Sequence, residues 1–492
     1  MGAKKIKPKF EDLSNPQTLV SHVQELKKQG STPHTEVLDQ LIEQIESLDF
    51  EALANPHNIE NFKLANRHYL VLSIENILKI AESNRWSLCK NQDFIYLFNG
   101  SFWNEIDKDI LQRFLGEAAN KMGVPEFTAK HFQFREQLYK QFLSTAYLPT
   151  PENNKDTVLI NLQNGTFEIS PKGNHLRQFN RADFITYQLP FEYNCEAKAP
   201  LFEKYLNRVL PDKERQKVLA EYLGYLFIKH GSRLKLEAAL VLYGTGANGK
   251  SVFYEVVNAL VGPENISSYS LEELTDNSGY YRAMISNKLV NYASEINGRL
   301  QTDMFKKMVS GEVMPARLPY GKPMQLKQYA KFIFNCNELP KDVEHTNAYF
   351  RRWLIIPFDV TIPKEKQDSE LHSKIIKDEL SGVFNWVLEG LNRLLKQKKF
   401  TYCDASNQAI EKYKTQSDSV KMFLDENNYQ KSPTSYELIK DLYTKYRGFC
   451  MEDGYNPVNK SNFIKRLTAC GVDVARKNMG NVAYLSNLKG GQ

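Results

Sequence analysis

The chain has 492 residues, 42% of them hydrophobic and 25% charged. That is the composition of an ordinary globular protein of about two to four domains, which disfavours wholesale disorder. The net charge of +6 permits a polyanionic partner without demanding one. Six scattered cysteines with no C-x-x-C pair disfavour both a zinc site and a disulfide framework. The basic N terminus lacks the apolar stretch of a secretory signal, and no run approaches ~18 apolar residues, so the expectation is a cytoplasmic protein with no membrane partner.

Residues 1–90 read as a helical N-terminal arm or module, with apolar positions three or four apart, as in 37–45. Residues 91–231 predict a mixed α+β collar or oligomerisation domain. It holds strand-turn-strand signals on Asn99-Gly100 and Asn164-Gly165, then helices over 200–228. From 232 to 400 strands and helices alternate in the βα rhythm of a nucleotide-binding sheet, closing with amphipathic helices over 364–397. A polar connection spans 401–433. The remaining 434–492 predict a small helical or winged-helix module: one helix over 435–446, a second over 459–467, and a β-like ending at 481–485 that would serve as the wing.

The strongest motif is Gly244-Thr245-Gly246-Ala247-Asn248-Gly249-Lys250-Ser251, directly after the apolar run 238–243. A strand feeds a glycine-rich turn whose backbone N–H groups curl around a phosphate. The next helix, running on through Val252, aims its positive end at the same anion. Lys250 would reach the β/γ-phosphates and Ser251 would offer a hydroxyl to Mg²⁺. ATP and Mg²⁺ are therefore the expected cofactors.

A nucleotide hydrolase also needs an acid near the water or metal, a polar sensor and often a distant cation. Glu295 ends the buried-strand pattern 288–295 and is chosen to position water and the hydrated metal. Asn335 and Asn337 fall near the end of the next strand, with Asn337 the better sensor; capping the following turn is the alternative. Arg351 and Arg352 stand just before another strand. One of them would stabilise phosphate charge across a subunit boundary, and a surface or salt-bridging pair is the plainer reading.

This order of motifs (the glycine-rich turn, Ala293-Ser294-Glu295, Phe334-Asn335-Cys336-Asn337-Glu338-Leu339-Pro340, and Phe350-Arg351-Arg352-Trp353 with its strand) resembles the superfamily 3 helicase domain of phage, plasmid and poxvirus-type primase-helicases. Segments 161–167, 221–225 and 379–390 are also similar to that family. The chain's size suits replication initiators of phage-related chromosomal islands. The resemblance implies an α/β fold: an AAA+-like P-loop ATPase domain, an α+β N-terminal collar and a C-terminal winged-helix-like module. It implies Lys250 and Ser251 as phosphate and Mg²⁺ contacts, Glu295 as the Walker B acid, Asn337 as sensor, and Arg352 ahead of Arg351 as arginine finger. Ser294 departs from the second acid that many such motors carry. A homo-hexamer moving from the 3′ end is implied as well.

Between the acid and sensor strands, Tyr320-Gly321-Lys322-Pro323 is a turn signal between two extended runs. In the family this region projects into the central pore, so Lys322 would be the moving contact with single-stranded DNA, helped by Arg317, Lys306 and Lys307. In the last module Lys460, Lys465, Arg466, Arg476 and Lys477 suit duplex origin DNA, against the alternative of a solvated face used for protein contacts.

The expected function is an ATP-dependent, ring-forming DNA helicase and replication initiator of a mobile element, with replication proteins as further partners. Two rivals stand beside it. A bifunctional primase-helicase would need clustered carboxylates, for which the N-terminal portion offers only Asp107 and Asp109. An ATP-switched origin-binding protein would load another helicase without unwinding. No His-x-His pair among the nine histidines supports rolling-circle nicking.

Overall fold

The computed structural model describes residues 32–487 except 58, 92–93, 148–154, 295, 297–300, 319–320, 322, 341–343 and 454. The chain divides into two compact units, 1–192 and 193–492.

The first unit begins with helices α1 (His34–Gln44), α2 (Phe50–Ala54) and α3 (Asn66–Ser83). An antiparallel sheet follows: β1 (Ser87–Asn91), β2 (Phe94–Phe98) and β3 (Trp103–Glu105). The β2–β3 turn is closed by Asn99, whose side-chain oxygen accepts from Ser101 N (3.0 Å) and Phe102 N (3.1 Å). That is the Asx-type turn chemistry expected at Asn99-Gly100. Helices α4 (Lys108–Lys121), α5 (Glu126–Lys130) and α6 (Phe132–Thr145) complete the layer. Asp107 caps α4 by accepting from Asp109 N at 2.7 Å and Ile110 N at 3.3 Å. One core containing Val37, Ile74, Leu97, Leu115 and Phe142 runs continuously across residue 90. A second antiparallel sheet holds β4 (Val158–Leu162), β5 (Gly165–Ser170) and β6 (Gly173–Arg177), with Leu162 opposite Gly165 across a two-residue turn.

The second unit opens with α7 (Pro200–Val209) and α8 (Lys213–Tyr225). Then come β7 (Ala239–Tyr243), α9 (Lys250–Val261), β8 (Ile266–Ser267), α10 (Leu271–Thr275), α11 (Tyr280–Met284), β9 (Val290–Ala293) and α12 (Thr302–Val309). A hairpin of β10 (Met314–Arg317) and β11 (Pro323–Leu326) precedes β12 (Lys331–Cys336), α13 (Asn347–Phe350) and β13 (Trp353–Pro357). The main sheet has the order β13-β7-β12-β9-β8, parallel throughout. Central β7 reads Ala-Leu-Val-Leu-Tyr and its first four residues are fully buried, as a strand covered on both faces requires.

Helices α14 (Leu371–Asp378) and α15 (Leu380–Gln397) follow, and α15 packs on α8 through two glycines. A Cβ on Gly390 would lie 2.3 Å from the Ala220 carbonyl carbon, and one on Gly224 would lie 2.6 Å from Leu391 Cβ. Beside them the wholly buried Glu221 carboxylate is satisfied by Arg393 Nε (2.6 Å), Gln397 Nε2 (3.1 Å) and Thr401 N (2.7 Å). A buried charge held this way costs about 3–5 kcal/mol when one partner is removed.

Two local expectations differ from the structure. The polar connection 401–433 is largely helical, as α16 (Asp404–Gln416) and α17 (Ser419–Glu426). Apolar residues at helical spacing decide this: Tyr413 packs toward β13 with its hydroxyl 3.0 Å from that of Tyr349, and Val420, Phe423 and Leu424 enter the C-terminal core. The helix expected over 435–446 starts later. Residues Glu437–Leu438 form β15, paired with Val482 and Ala483, before α18 (Ile439–Glu452). The rest is β14 (Tyr429–Lys431), α19 (Lys460–Ala469), β16 (Val474–Lys477), β17 (Gly480–Ala483) and β18 (Leu485–Asn487), with sheets β15-β17-β16 and β14-β18. No described helix is long and apolar enough to cross a membrane.

Candidate functional site

The site lies at the carboxyl end of β7, where parallel α/β sheets gather their ligands. Gly244 (φ +157°), Gly246 (+72°), Ala247 (+51°) and Gly249 (+88°) turn the chain sharply from β7 into α9. Two glycines are also required by space. A Cβ on Gly244 would stand 2.5 Å from Phe358 O, and one on Gly249 would stand 2.7 Å from Val209 Cγ1. Thr245, Gly246 and Ala247 form the exposed crest, while Asn248 is buried and donates from Nδ2 to Phe358 O at 3.1 Å. Helix α7 supports the turn from below, with the Tyr205 hydroxyl donating to Gly249 O at 2.8 Å.

Lys250, the first residue of α9, is only 8% exposed. Its ammonium donates to Gly244 O and, at 3.3 Å, to Asn337 Oδ1. Both oxygens are neutral. Burial lowers the lysine pKa, and the neighbouring Cys336 acts in the opposite direction. A desolvated cation at the amino end of a twelve-residue helix has the chemistry of an anion receptor, because an anion placed there meets a charge that only burial opposes. Ser251 is exposed and Val252 half-buried, one turn into the helix. Asn337 reaches the lysine because β12 lies beside β7, with Gly244 N donating to Cys336 O at 3.2 Å. Asn335, two residues earlier, instead accepts from the Tyr292 hydroxyl at 3.1 Å. Glu295 lies outside the described residues.

The two arginines sit at the other end of the sheet. Trp353 pairs with Ala239 and Pro357 with Tyr243, so Arg351 and Arg352 are about five residues, or roughly 16 Å, from the glycine-rich turn. They differ sharply from each other. The Arg351 side chain is 61% exposed and donates to Glu237 Oε2 at 2.8 Å. Arg352 is buried, donating to Ser310 Oγ from Nε (3.2 Å) and Nη2 (2.8 Å) and to Ala348 O from Nη1.

Among the expected DNA contacts, Lys322 lies outside the described residues. The strands on either side of it pair in register, Arg317 opposite Pro323 and Met314 opposite Leu326. Arg317 is exposed and stacks 5.0 Å above the Tyr280 ring, also donating to its hydroxyl at 2.7 Å. Lys307 is exposed, whereas Lys306 is engaged with Asp303 (2.9 Å) and Glu344 (2.8 Å). In the last module Lys460 and Lys465 are exposed on α19, while Arg466 turns inward to Asp418 at 3.4 Å. Asp107, weighed for primer synthesis, is spent as the cap of α4.

Sequence reasoning passed over Tyr205, Glu237 and Ser310. Glu237, an acid at the threshold of an apolar strand, carried a signal; Ser310 carried none, since only the fold brings it to Arg352.

Comparison with known proteins gives partial matches. Residues 75–211 match the family described as D5 N terminal like, and residues 242–352 match a family of unknown function, DUF5906. The chain is thus homologous to D5-type proteins over the first of these segments. A putative helicase of Acanthamoeba polyphaga mimivirus is 26% identical over 285 residues, 54% of this chain. The aligned region spans only 28% of that protein's length. Two solved apo structures of the NrS-1 C-terminal region are 13% and 15% identical, with TM-scores of 0.45 and 0.46; each alignment covers 83% of this chain and 98% of the other.

Proposed function

We propose that this protein is an ATP-dependent, ring-forming DNA helicase that initiates replication of a mobile element. The observation that carries the reading is the buried Lys250 ammonium at the amino end of α9, beside Asn337, at the carboxyl end of a parallel sheet. The D5-type homology and the mimivirus relative support it.

On this reading the second unit is an AAA+-like ATPase domain ending in a winged-helix-like module, and the first unit serves as the collar. Backbone N–H groups of the turn bind the β-phosphate of ATP, and Lys250 exchanges its two neutral partners for phosphate oxygens. Asn337, 3.3 Å from that ammonium, holds the attacking water or the γ-phosphate in line. Ser251, with Glu295 as the acid, would hold Mg²⁺, which would supply positive charge against the phosphates.

Arg351 fits the role of a cation acting across a subunit boundary better than Arg352. It is exposed, and it stands at the opposite end of the sheet from its own turn. Arg352 is already held by Ser310 and Ala348. Lys322, between β10 and β11 in sequence, would contact single-stranded DNA in the pore of a hexamer, with Arg317 and Lys307 adding to the grip. Lys460 and Lys465 present charge to origin duplex DNA. Non-specific contacts of point charges with phosphates suit a motor that must grip any sequence.

Strand release from a forked duplex tests the reading. Lys322→Ala is expected to hydrolyse ATP while releasing no strand. Unchanged release removes Lys322 from translocation.

A further inference from the structure

The root of the β10–β11 hairpin is held by a buried clamp. Ser310 ends α12, and its hydroxyl accepts two hydrogen bonds from Arg352. The next residue, Gly311, has φ +68° and lies so close to His230 that a Cβ would fall 2.5 Å from Nδ1. The residue after that, Glu312, has its carbonyl bound by the Tyr329 hydroxyl at 2.9 Å. Three successive root residues are thus fixed from three directions, and β10 begins two residues later. A hairpin anchored this way moves with its anchors.

One anchor continues to the exposed face. Glu237 Oε2 lies 3.3 Å from Arg352 Nη2 and accepts from Arg351 Nη2 at 2.8 Å. The polar chain therefore runs unbroken from Arg351 at the surface, through Glu237 and Arg352, to Ser310 under the hairpin. One carboxylate oxygen serves both arginines. Were Arg351 to turn to a phosphate outside the subunit, that oxygen would be left to Arg352, drawing on the guanidinium that holds Ser310.

We propose that Arg352 is a positioning residue that couples Arg351 to the DNA-binding hairpin through Ser310, so that DNA on the hairpin and nucleotide at the neighbouring subunit sense each other. This rests on the function proposed above. Coupling between sites is reciprocal and is commonly worth about 5–150-fold.

The ratio of DNA-stimulated to basal ATP hydrolysis reads the link directly, measured on the full chain with single-stranded oligonucleotide. Ser310→Ala removes the acceptor and leaves the backbone intact. It is expected to keep the basal rate and to lower the ratio at least about fivefold, and Ser310→Thr, which restores the hydroxyl, is expected to recover it. Should Ser310→Ala fold poorly, Glu237→Gln reports the same link, again as a fall in the ratio. An unchanged ratio in either soluble variant overturns the proposal, as does a parallel fall of basal and stimulated rates in Ser310→Ala. A wild-type chain that hydrolyses ATP but ignores DNA overturns the coupling and leaves the ATPase standing. One that hydrolyses nothing fails the function itself.

Discussion

Lys250 Nζ donates to Asn337 Oδ1 across 3.3 Å, joining the first turn of α9 to the end of β12. The two side chains are given different tasks by their positions. Lys250→Ala removes the only charge of the pair and is expected to abolish both nucleotide binding and hydrolysis. Asn337→Ala is expected to bind nucleotide nearly as wild type while turning over about 100-fold more slowly, the usual scale for losing one aligned polar group. Fluorescent-nucleotide titration beside a phosphate-release assay separates the two, and equal loss of binding in both variants contradicts the assignment.

The glycines of the turn are not equivalent. Gly244→Ala and Gly249→Ala place a methyl group 2.5 Å from Phe358 O and 2.7 Å from Val209 Cγ1, so α9 must shift away from its supports. Gly246→Ala meets nothing within 4 Å and suffers only from its φ of +72°, a cost of about 1 kcal/mol. Thermal denaturation should rank Gly246→Ala as the mildest, with the other two losing nucleotide affinity as well. A Gly246→Ala variant as damaged as Gly249→Ala would count against this packing.

Arg351 and Arg352 provide a matched pair. Arg351→Ala truncates a mostly exposed side chain and should leave stability within about 0.5 kcal/mol of wild type while stopping hydrolysis. Arg352→Ala takes a buried guanidinium away from the Ser310 hydroxyl and the Ala348 carbonyl, while Glu237 keeps Arg351, and is expected to cost about 2–4 kcal/mol in urea denaturation. Mixing Arg351→Ala with Lys250→Ala subunits should restore some complete sites. No rescue at any ratio argues against action in trans.

Much of this was legible in the sequence, and the limits have physical causes. An all-apolar strand running into glycines, with helical spacing after them, is a local pattern, and β7, the turn and α9 stand where it placed them. The hairpin at Asn164-Gly165 was readable for the same reason. Helices α16 and α17 were hidden because their outward faces are polar, and a few anchors such as Tyr413 and Phe423 carry the whole amphipathic signal. Strand β15 was invisible because two residues make a strand only through a partner 44 positions away, Leu438 with Val482. The split between the arginines was illegible too: Arg351 and Arg352 are chemically identical neighbours, and only the fold, which buries Arg352 against Ser310 and Ala348 and leaves Arg351 exposed, distinguishes them.

Lys331 gives the fold a pH signature. It is buried at the start of β12, donates to Ile228 O and sits 4.5 Å from the Tyr225 ring centre, and burial lowers its pKa from 10.5 to about 7. Between those values the unfolded chain holds a proton that the folded chain releases, so this group makes stability rise with pH over that window. Below pH 7 its full penalty is present. The buried thiols Cys89 and Cys336, raised to about 12, act oppositely above pH 9. The difference between wild type and Lys331→Met cancels them. The variant's advantage should shrink by about 2 kcal/mol between pH 7.5 and 9, read by urea denaturation; a constant difference contradicts a neutral folded lysine.

The central claim is that ATP cleavage at Lys250 drives work on DNA. Phosphate release by the purified full chain, with and without magnesium and single-stranded oligonucleotide, tests it most directly. The account predicts magnesium-dependent turnover that DNA accelerates and that Lys250→Ala eliminates. A folded wild-type chain that consumes no nucleotide with both magnesium and DNA supplied would contradict it.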